Sequence, residues 1–261
     1  MGGLLMRDKI ILVIGASSGF GRSASLHLAN QGATVIVAAR NSQALHELKH
    51  TIDGSGGSCH VHHCDIRSEE SVKQLIDATI EQFGRIDIVI LSSAIQYIDN
   101  INNVLMEEVE AMFQTNVVGI IRCTRNILPH MLSRQSGQIV LISSIMGDAA
   151  FPQMVSYGAT KAAISCFARG LRREVSDKGI QVTLFSPGHM NTNLSAHLLQ
   201  RTPHWYGQSG SLDVNHVAFK LIEAIKNKKN EVIVGRQSLM LSRMIKFFPN
   251  IANNIIRKIT S

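Results

Sequence analysis

Lys9–Gly21 reads K-I-I-L-V-I-G-A-S-S-G-F-G, and this stretch decides the fold. Lys9–Ile14 is a short, apolar, β-branched run, the pattern of a strand buried on both faces of a parallel sheet. A turn with Gly15, Gly19 and Gly21 follows, and Arg22–Asn30 then carries a helical pattern. Strand, glycine-rich turn and helix in that order open a dinucleotide-binding βαβ unit. Glycines let the backbone turn sharply and approach a pyrophosphate. The helix N-terminus offers unpaired N–H groups to the phosphates.

Outward from this unit, Thr34–Ala39 is the second strand and Arg40 follows it. NAD-selective sites place an acidic residue at this strand's end to bind the ribose 2′-hydroxyl. Here Ala39 stands there, and the Arg40 guanidinium can make two hydrogen bonds to a 2′-phosphate. NADP(H) is therefore expected over NAD(H). Ser42–Ile52 reads as a helix, Gly54–Gly57 as a loop and Ser58–Ile66 as the third strand. Cys59, His60, His62, His63 and Cys64 crowd that strand, but alternation splits them between its two faces. No face offers four ligands, and no metal is expected. Asp65, at the strand's end, is placed to meet an adenine amino group.

The same alternation of periods continues. Glu69–Phe83 is an amphipathic helix, and Ile86–Leu91 the fourth strand, followed by Ser92-Ser93-Ala94. Met106–His130 is a long helical stretch with Asn116 among apolar neighbours. Gln138–Ile142, Ile180–Phe185 and Glu231–Val234 are strands five to seven, and Asp213–Asn227 is a helix with Asp213 as N-cap. Strands alternating with helices predict an α/β protein, a doubly wound parallel sheet of about seven strands with helices on both faces.

The helix over Val155–Val175 holds S-Y-G-A-T-K at Ser156–Lys161. Tyr157 and Lys161, four residues apart, share a helical face. A phenol has an ordinary pKa of about 10, and a nearby ammonium is expected to lower it. The pair is a candidate proton donor and acceptor for carbonyl–alcohol chemistry.

The 261 residues, 45% apolar and 17% charged, suit one α/β domain or two small ones. No segment has the ~18 consecutive apolar residues that span a bilayer. The N-terminus lacks a secretory pattern, and M-G-G-L-L-M has Met6 where a myristoylation signal needs Ser or Thr. Four cysteines are too few for a disulfide scaffold and fit a reducing cytosol. The net charge of +7 is local. Residues 236–261 hold five of the 26 Lys and Arg and none of the 19 Asp and Glu, which leaves +2 on the first 235. That distribution argues against nucleic-acid binding by the domain.

Taken together, these motifs resemble the single-domain branch of the short-chain dehydrogenase/reductase family over about residues 7–235. G-A-S-S-G-F-G resembles its T-G-x-x-x-G-x-G loop, with Ile14 for Thr. Ser144, Tyr157 and Lys161 match S-x12-Y-x-x-x-K, and Asn116 resembles the family's helix asparagine. Pro187-Gly188 with Thr192 resembles P-G-x-x-x-T. One departure is Ser92-Ser93-Ala94-Ile95, where the family has N-N-A-G.

The resemblance implies a Rossmann-type fold and a nicotinamide cofactor. The cofactor would be held by Gly15, Ser17, Ser18, Gly19, Phe20 and Gly21 in the first turn, and by Arg40, Asp65 and Ile66 beside it. Ser92, Ala94, Pro187, Gly188 and Thr192 would complete its wall. It also implies that Tyr157 protonates the carbonyl oxygen, Ser144 orients it, and Lys161 lowers the tyrosine pKa and binds the nicotinamide ribose. Asn116 would hold a water in a relay to Lys161.

His189–Ser211 is an apolar loop with Met190, Leu194, Leu198, Leu199, Trp205 and Tyr206. Ser144, Met146, Phe151, Tyr157 and Met190 are the expected substrate wall, which favours a lipophilic ketone or β-keto compound. A homodimer or homotetramer is expected. Leu241, Met244, Ile245, Phe248, Ile251, Ile255 and Ile259 recur at helical spacing in 236–261, with Pro249 as a break and basic residues alongside. That stripe packs on the domain or a partner subunit, or lies peripherally on a membrane. The competing class is a non-catalytic cofactor-binding sensor or scaffold on the same fold.

Overall fold

The computed structural model describes residues 6–190, 192, 194, 201–206 and 210–260. Leu198 and Leu199, and the start of the chain before Met6, lie outside the described residues. The strands are β1 (Ile10–Ile14), β2 (Thr34–Ala39), β3 (Ser58–His63), β4 (Ile88–Leu91), β5 (Gly137–Ile142), β6 (Ile180–Pro187) and β7 (Glu231–Val234). They form one parallel sheet in the order β3-β2-β1-β4-β5-β6-β7. The order reverses between β1 and β4, and ligands bind at such a switch point, beyond the carboxyl ends of the strands.

Strand alternation builds a core on each side. Ile11 and Val13 of β1 face one cluster with Phe20, Ala24 and Leu28 of α1 (Gly19–Asn30), Leu45 and Leu48 of α2 (Ser42–Gly54), and Val217 and Leu221 of α7 (Val214–Lys226). Leu12 and Ile14 face the other, with Val72 and Leu75 of α3 (Glu69–Phe83), Cys123 and Ile127 of α5 (Ile120–Arg134), and Ile164 and Ala168 of α6 (Val155–Glu174). Each buried Leu, Ile or Val contributes about 1.5–3 kcal/mol relative to exposure. The expected seven-stranded sheet covered on both faces is therefore the observed one.

Three of the differences from the expected boundaries bear on the site and the packing. The third strand stops at His63, because Asp65 turns back to accept hydrogen bonds from the backbone and side chain of Arg67. The fourth begins at Ile88. Asp87 instead accepts from Ile10 N at 2.9 Å and pairs with Arg85. The long helix after β4 is interrupted. α4 (Met106–Phe113) passes into a π-helical turn, Gln114–Gly119, before α5. Such turns widen a helix locally and occur at functional sites; this one contains Asn116.

Beyond β7 the chain forms α8 (Arg236–Phe247) and α9 (Pro249–Thr260). Pro249 starts the second helix, where its missing N–H has no partner to lose. Of the expected apolar stripe, Leu241, Met244 and Ile245 are half-buried, whereas Phe248, Ile251, Ile255 and Ile259 are exposed. The residues that α9 buries are Ala252 and Ile256, outside that stripe.

Candidate active site

One cavity runs along the carboxyl ends of β1, β2, β4, β5 and β6. Its first half is built mainly of backbone. Gly15 adopts φ +92°, and a Cβ there would lie 2.5 Å from Ser93 N. A Cβ on Gly21 would strike the Gly15 carbonyl. Only glycine fits either place. This bare turn leads into α1, whose N-cap, Ser18, makes no side-chain cap and whose first turn holds no acidic residue. The N-terminal N–H groups and the positive dipole end therefore stay available to a diphosphate.

Ser17, Ser18, Gly19 and Phe20 line this half, and Thr192 sits close across Gly19. Arg40 is exposed on the wall immediately after β2. Asp65 and Ile66 line the far end. Arg67 binds both Asp65 oxygens and pulls its carboxyl down to about 2, so it is ionised at neutral pH. The cradle, the open helix end and the exposed cation fit a nicotinamide dinucleotide.

At the seam, Ser92, Ala94, Pro187 and Gly188 form the wall. Ser92 N donates to Ile14 O at 2.9 Å, which ties this loop to β1. Ile95 does not adopt a left-handed backbone, so a side chain is accommodated where the family has glycine. Asn116 holds it. Ile95 N donates to Asn116 Oδ1, and Asn116 Nδ2 donates to Ile95 O, both at 2.8 Å. Nδ2 also donates to Thr160 Oγ1, which donates to Tyr157 O at 2.7 Å. Both amide hydrogens of Asn116 are thus engaged, and its side chain bridges the loop after β4 to the helix of Tyr157.

Ser144 follows β5 and accepts from Met146 N at 3.2 Å, which leaves its own hydrogen to donate. Ser144 stands close enough to Tyr157 for its hydroxyl to favour the ionised phenol. Lys161 Nζ donates to Ile142 O at 3.1 Å and lies 5.7 Å from the Tyr157 ring centroid. Tyr157 and Lys161 are both buried. Ser143 Oγ donates to Lys161 O and contacts Ser165 Oγ, pinning α6 against β5.

One expectation is corrected here. The ammonium does not dominate the phenol. Burial raises the Tyr157 pKa above its ordinary value, and the Ser144 hydroxyl opposes that only in part. Burial also pushes Lys161 down to about 8. Desolvation disfavours the charged form of each group. Burial of Tyr157 therefore favours its neutral phenol.

The second half of the cavity is apolar. Ile98, Met112, Met154, Tyr157 and Trp205 form a third cluster, with Ile95, Tyr97, Met146, Phe151, Leu194 and Tyr206 against it. Phe151 stacks on Trp205 at 5.2 Å, and His189 meets Tyr206 edge-on at 4.4 Å. Met146 and Phe151 stand where expected. Met190 lines the cavity but packs on the cluster of β1 and α1, and bridges to Leu212. Ile95, Tyr97, Met154 and Thr160 were not among the expected site residues. Their only signal was an apolar or polar residue beside a motif.

The profile of the family described as short chain dehydrogenase matches residues 9–202. An uncharacterized oxidoreductase of Staphylococcus saprophyticus is 34% identical over 234 residues, covering 88% of this chain and 97% of its own. A short chain dehydrogenase/reductase from Burkholderia phymatum in complex with NAD superposes with a TM-score of 0.86 at 22% identity, over 96% of each chain. A gluconate 5-dehydrogenase from Burkholderia cenocepacia in complex with NADP and tartrate does so at 0.81 and 22%, over 89% of this chain and 95% of its own. The two structures carry the likeness of fold, and the profile carries the family. With Tyr157, Lys161 and Ser144 gathered at the seam of such a cavity, this chain belongs to the short-chain dehydrogenase/reductase family and is a nicotinamide-dependent oxidoreductase.

Proposed function

We propose that the protein is an NADPH-dependent reductase of lipophilic ketones or β-keto compounds. The observation that carries the cofactor choice is Arg40, exposed on the cavity wall directly after Ala39, where an acidic residue would select NAD. Bound in the cradle of Gly15, Gly19 and Gly21, the nicotinamide supplies hydride to the carbonyl carbon. Ser144 donates a hydrogen bond to the carbonyl oxygen and places it beside Tyr157. Tyr157 gives that oxygen its proton, which its burial has kept on the phenol. Lys161, anchored on Ile142 O, holds positive charge beside the phenolate left behind and binds the nicotinamide ribose. Asn116 acts as a positioning residue through Ile95 and Thr160.

The apolar side chains Ile95, Met146, Phe151 and Trp205 support a lipophilic substrate. In this reading residues 1–235 carry the chemistry, and 236–261 is an amphipathic extension beyond it. Phe113, Val118 and Ile121, exposed apolar side chains along α4, the π-helical turn and α5, support a homodimer or homotetramer. A sensor or scaffold has no use for a buried, protonated tyrosine beside a hydroxyl and an ammonium.

Cofactor fluorescence tests the reading. NADPH is expected to bind about ten- to a hundredfold more tightly than NADH, the value of charge-assisted hydrogen bonds to one phosphate. Arg40→Ala is expected to remove most of that difference. Equal binding of both cofactors by the unaltered protein would exclude NADPH selectivity.

A further inference from the structure

α8 and α9 pack against each other and leave a large apolar surface open. Met240, Phe247, Phe248, Ile251 and Ile259 are each at least half exposed. These are among the largest apolar side chains left in water on the described surface, and they fall within one short stretch. Exposed Arg243, Lys246 and Arg257 stand among them, and the segment 236–261 contains no acidic residue. A face that combines aromatic and aliphatic side chains with unopposed positive charge matches a surface that is apolar beneath and anionic on top. Each helix has 12 residues, about 18 Å in length, against a hydrocarbon core of about 30 Å. Neither crosses; both can lie in the interface.

The opposite side of this pair is fixed to the loops that wall the substrate half of the cavity. Ala252 and Ile256 are buried, and α9 shares a crevice with Ala150–Val155. Phe151 in that segment stacks on Trp205 of the apolar cluster around Tyr157. Ser242 of α8 donates to Asp148 Oδ2 at 2.8 Å, just past the turn that Ser144 begins. The exposed face and the loops beside the substrate half therefore lie on opposite sides of the same helix pair.

We infer that the α8–α9 face docks on an anionic phospholipid bilayer and holds the apolar half of the cavity next to it, so that substrate enters from the membrane. This rests on the lipophilic-carbonyl reading and adds the partner that delivers such a substrate. The test is co-sedimentation of the full chain with mixed phosphatidylserine–phosphatidylcholine vesicles and with phosphatidylcholine alone, at low and high salt. Binding is expected only to the anionic vesicles and is expected to fall with salt. Arg243→Glu with Lys246→Glu is expected to weaken it by about twentyfold or more. Phe247→Ser with Ile251→Ser is expected to weaken it at both salt concentrations. All four residues are exposed, so thermal melting of both variants is expected to match the parent chain.

Absence of sedimentation with anionic vesicles overturns the proposal. So does sedimentation that both variants retain. A concentration-dependent oligomer that Phe247→Ser/Ile251→Ser dissolves, without vesicle binding by the parent, assigns the face to a second copy and also overturns it. Turnover is read separately, on a short water-soluble ketone without vesicles. Its failure would count against the reductase reading and leave the sedimentation result standing.

Discussion

The two halves of the cavity are made of different materials. The cofactor half is backbone: a left-handed Gly15, a Gly21 with no room for a Cβ, an uncapped helix end and the carboxyl ends of strands. The substrate half is side chain: Ile95, Met146, Met154 and Tyr206 line it, backed by Ile98, Met112 and Trp205 from other parts of the chain. Backbone geometry tolerates almost no substitution. A cluster of apolar side chains tolerates repacking at a cost of about 1–3 kcal/mol. The difference teaches why one half can be shared across a family while the other sets what each member reduces.

The sharpest test lies at the seam. Tyr157→Phe keeps the buried ring and removes the proton donor. It is expected to lower kcat about a thousandfold or more while leaving the NADPH dissociation constant nearly unchanged. Steady-state turnover beside cofactor fluorescence reads both, and normal turnover would remove Tyr157 from the chemistry.

Breaking the cofactor half comes next. Gly15→Ala puts a Cβ against Ser93 N and a left-handed strain of about 1–3 kcal/mol into the turn. NADPH affinity is expected to fall about a hundredfold, with a lower melting temperature. Unchanged affinity would mean that the turn does not cradle the cofactor.

A smaller and complementary effect belongs to the substrate half. Trp205→Ala is expected to raise KM for a long-chain ketone about tenfold, from lost apolar contact. Cofactor affinity and kcat on a short ketone are expected to stay within about twofold. A matching loss of NADPH binding would show that the two halves are not separable.

The smallest effect is in pH. Lys161 has its pKa lowered by burial to about 8, so the ammonium is present below that value and lost above it. Tyr157, raised by burial, stays protonated across the same interval. The reduction rate is therefore expected to decline as pH rises through about 8, by up to about tenfold. A profile flat across that value would show that the Lys161 charge does not enter the rate.

Legibility followed the same division. K-I-I-L-V-I-G-A-S-S-G-F-G announced strand, turn and helix, because each depends on neighbours along the chain. Tyr157 and Lys161 were readable as a pair because one helical turn separates them. The order of their pKa effects was not readable. Spacing reports closeness, whereas the direction of the Tyr157 shift depends on how completely water is excluded. Asn116 was visible as a polar residue on an apolar helix, but not as the clasp on Ile95, since those partners come from the far side of β4. Met190 was readable as a loop residue near the cavity, but not its bridge to Leu212, which lies 22 residues on.

By itself the sequence determined the parallel α/β sheet, the glycine cradle, the Arg40 wall and the acid–base helix. Each is specified by periodicity or by a residue's own conformational limits. Only the tertiary structure decided that Tyr157 and Lys161 are buried, that Asn116 clasps Ile95 and Thr160, and that α8 and α9 show one side to the loops beside the cavity and another to solvent. Those properties arise from burial and from contacts between distant segments. Burial is a sum over everything that surrounds a side chain, and no local pattern contains that sum.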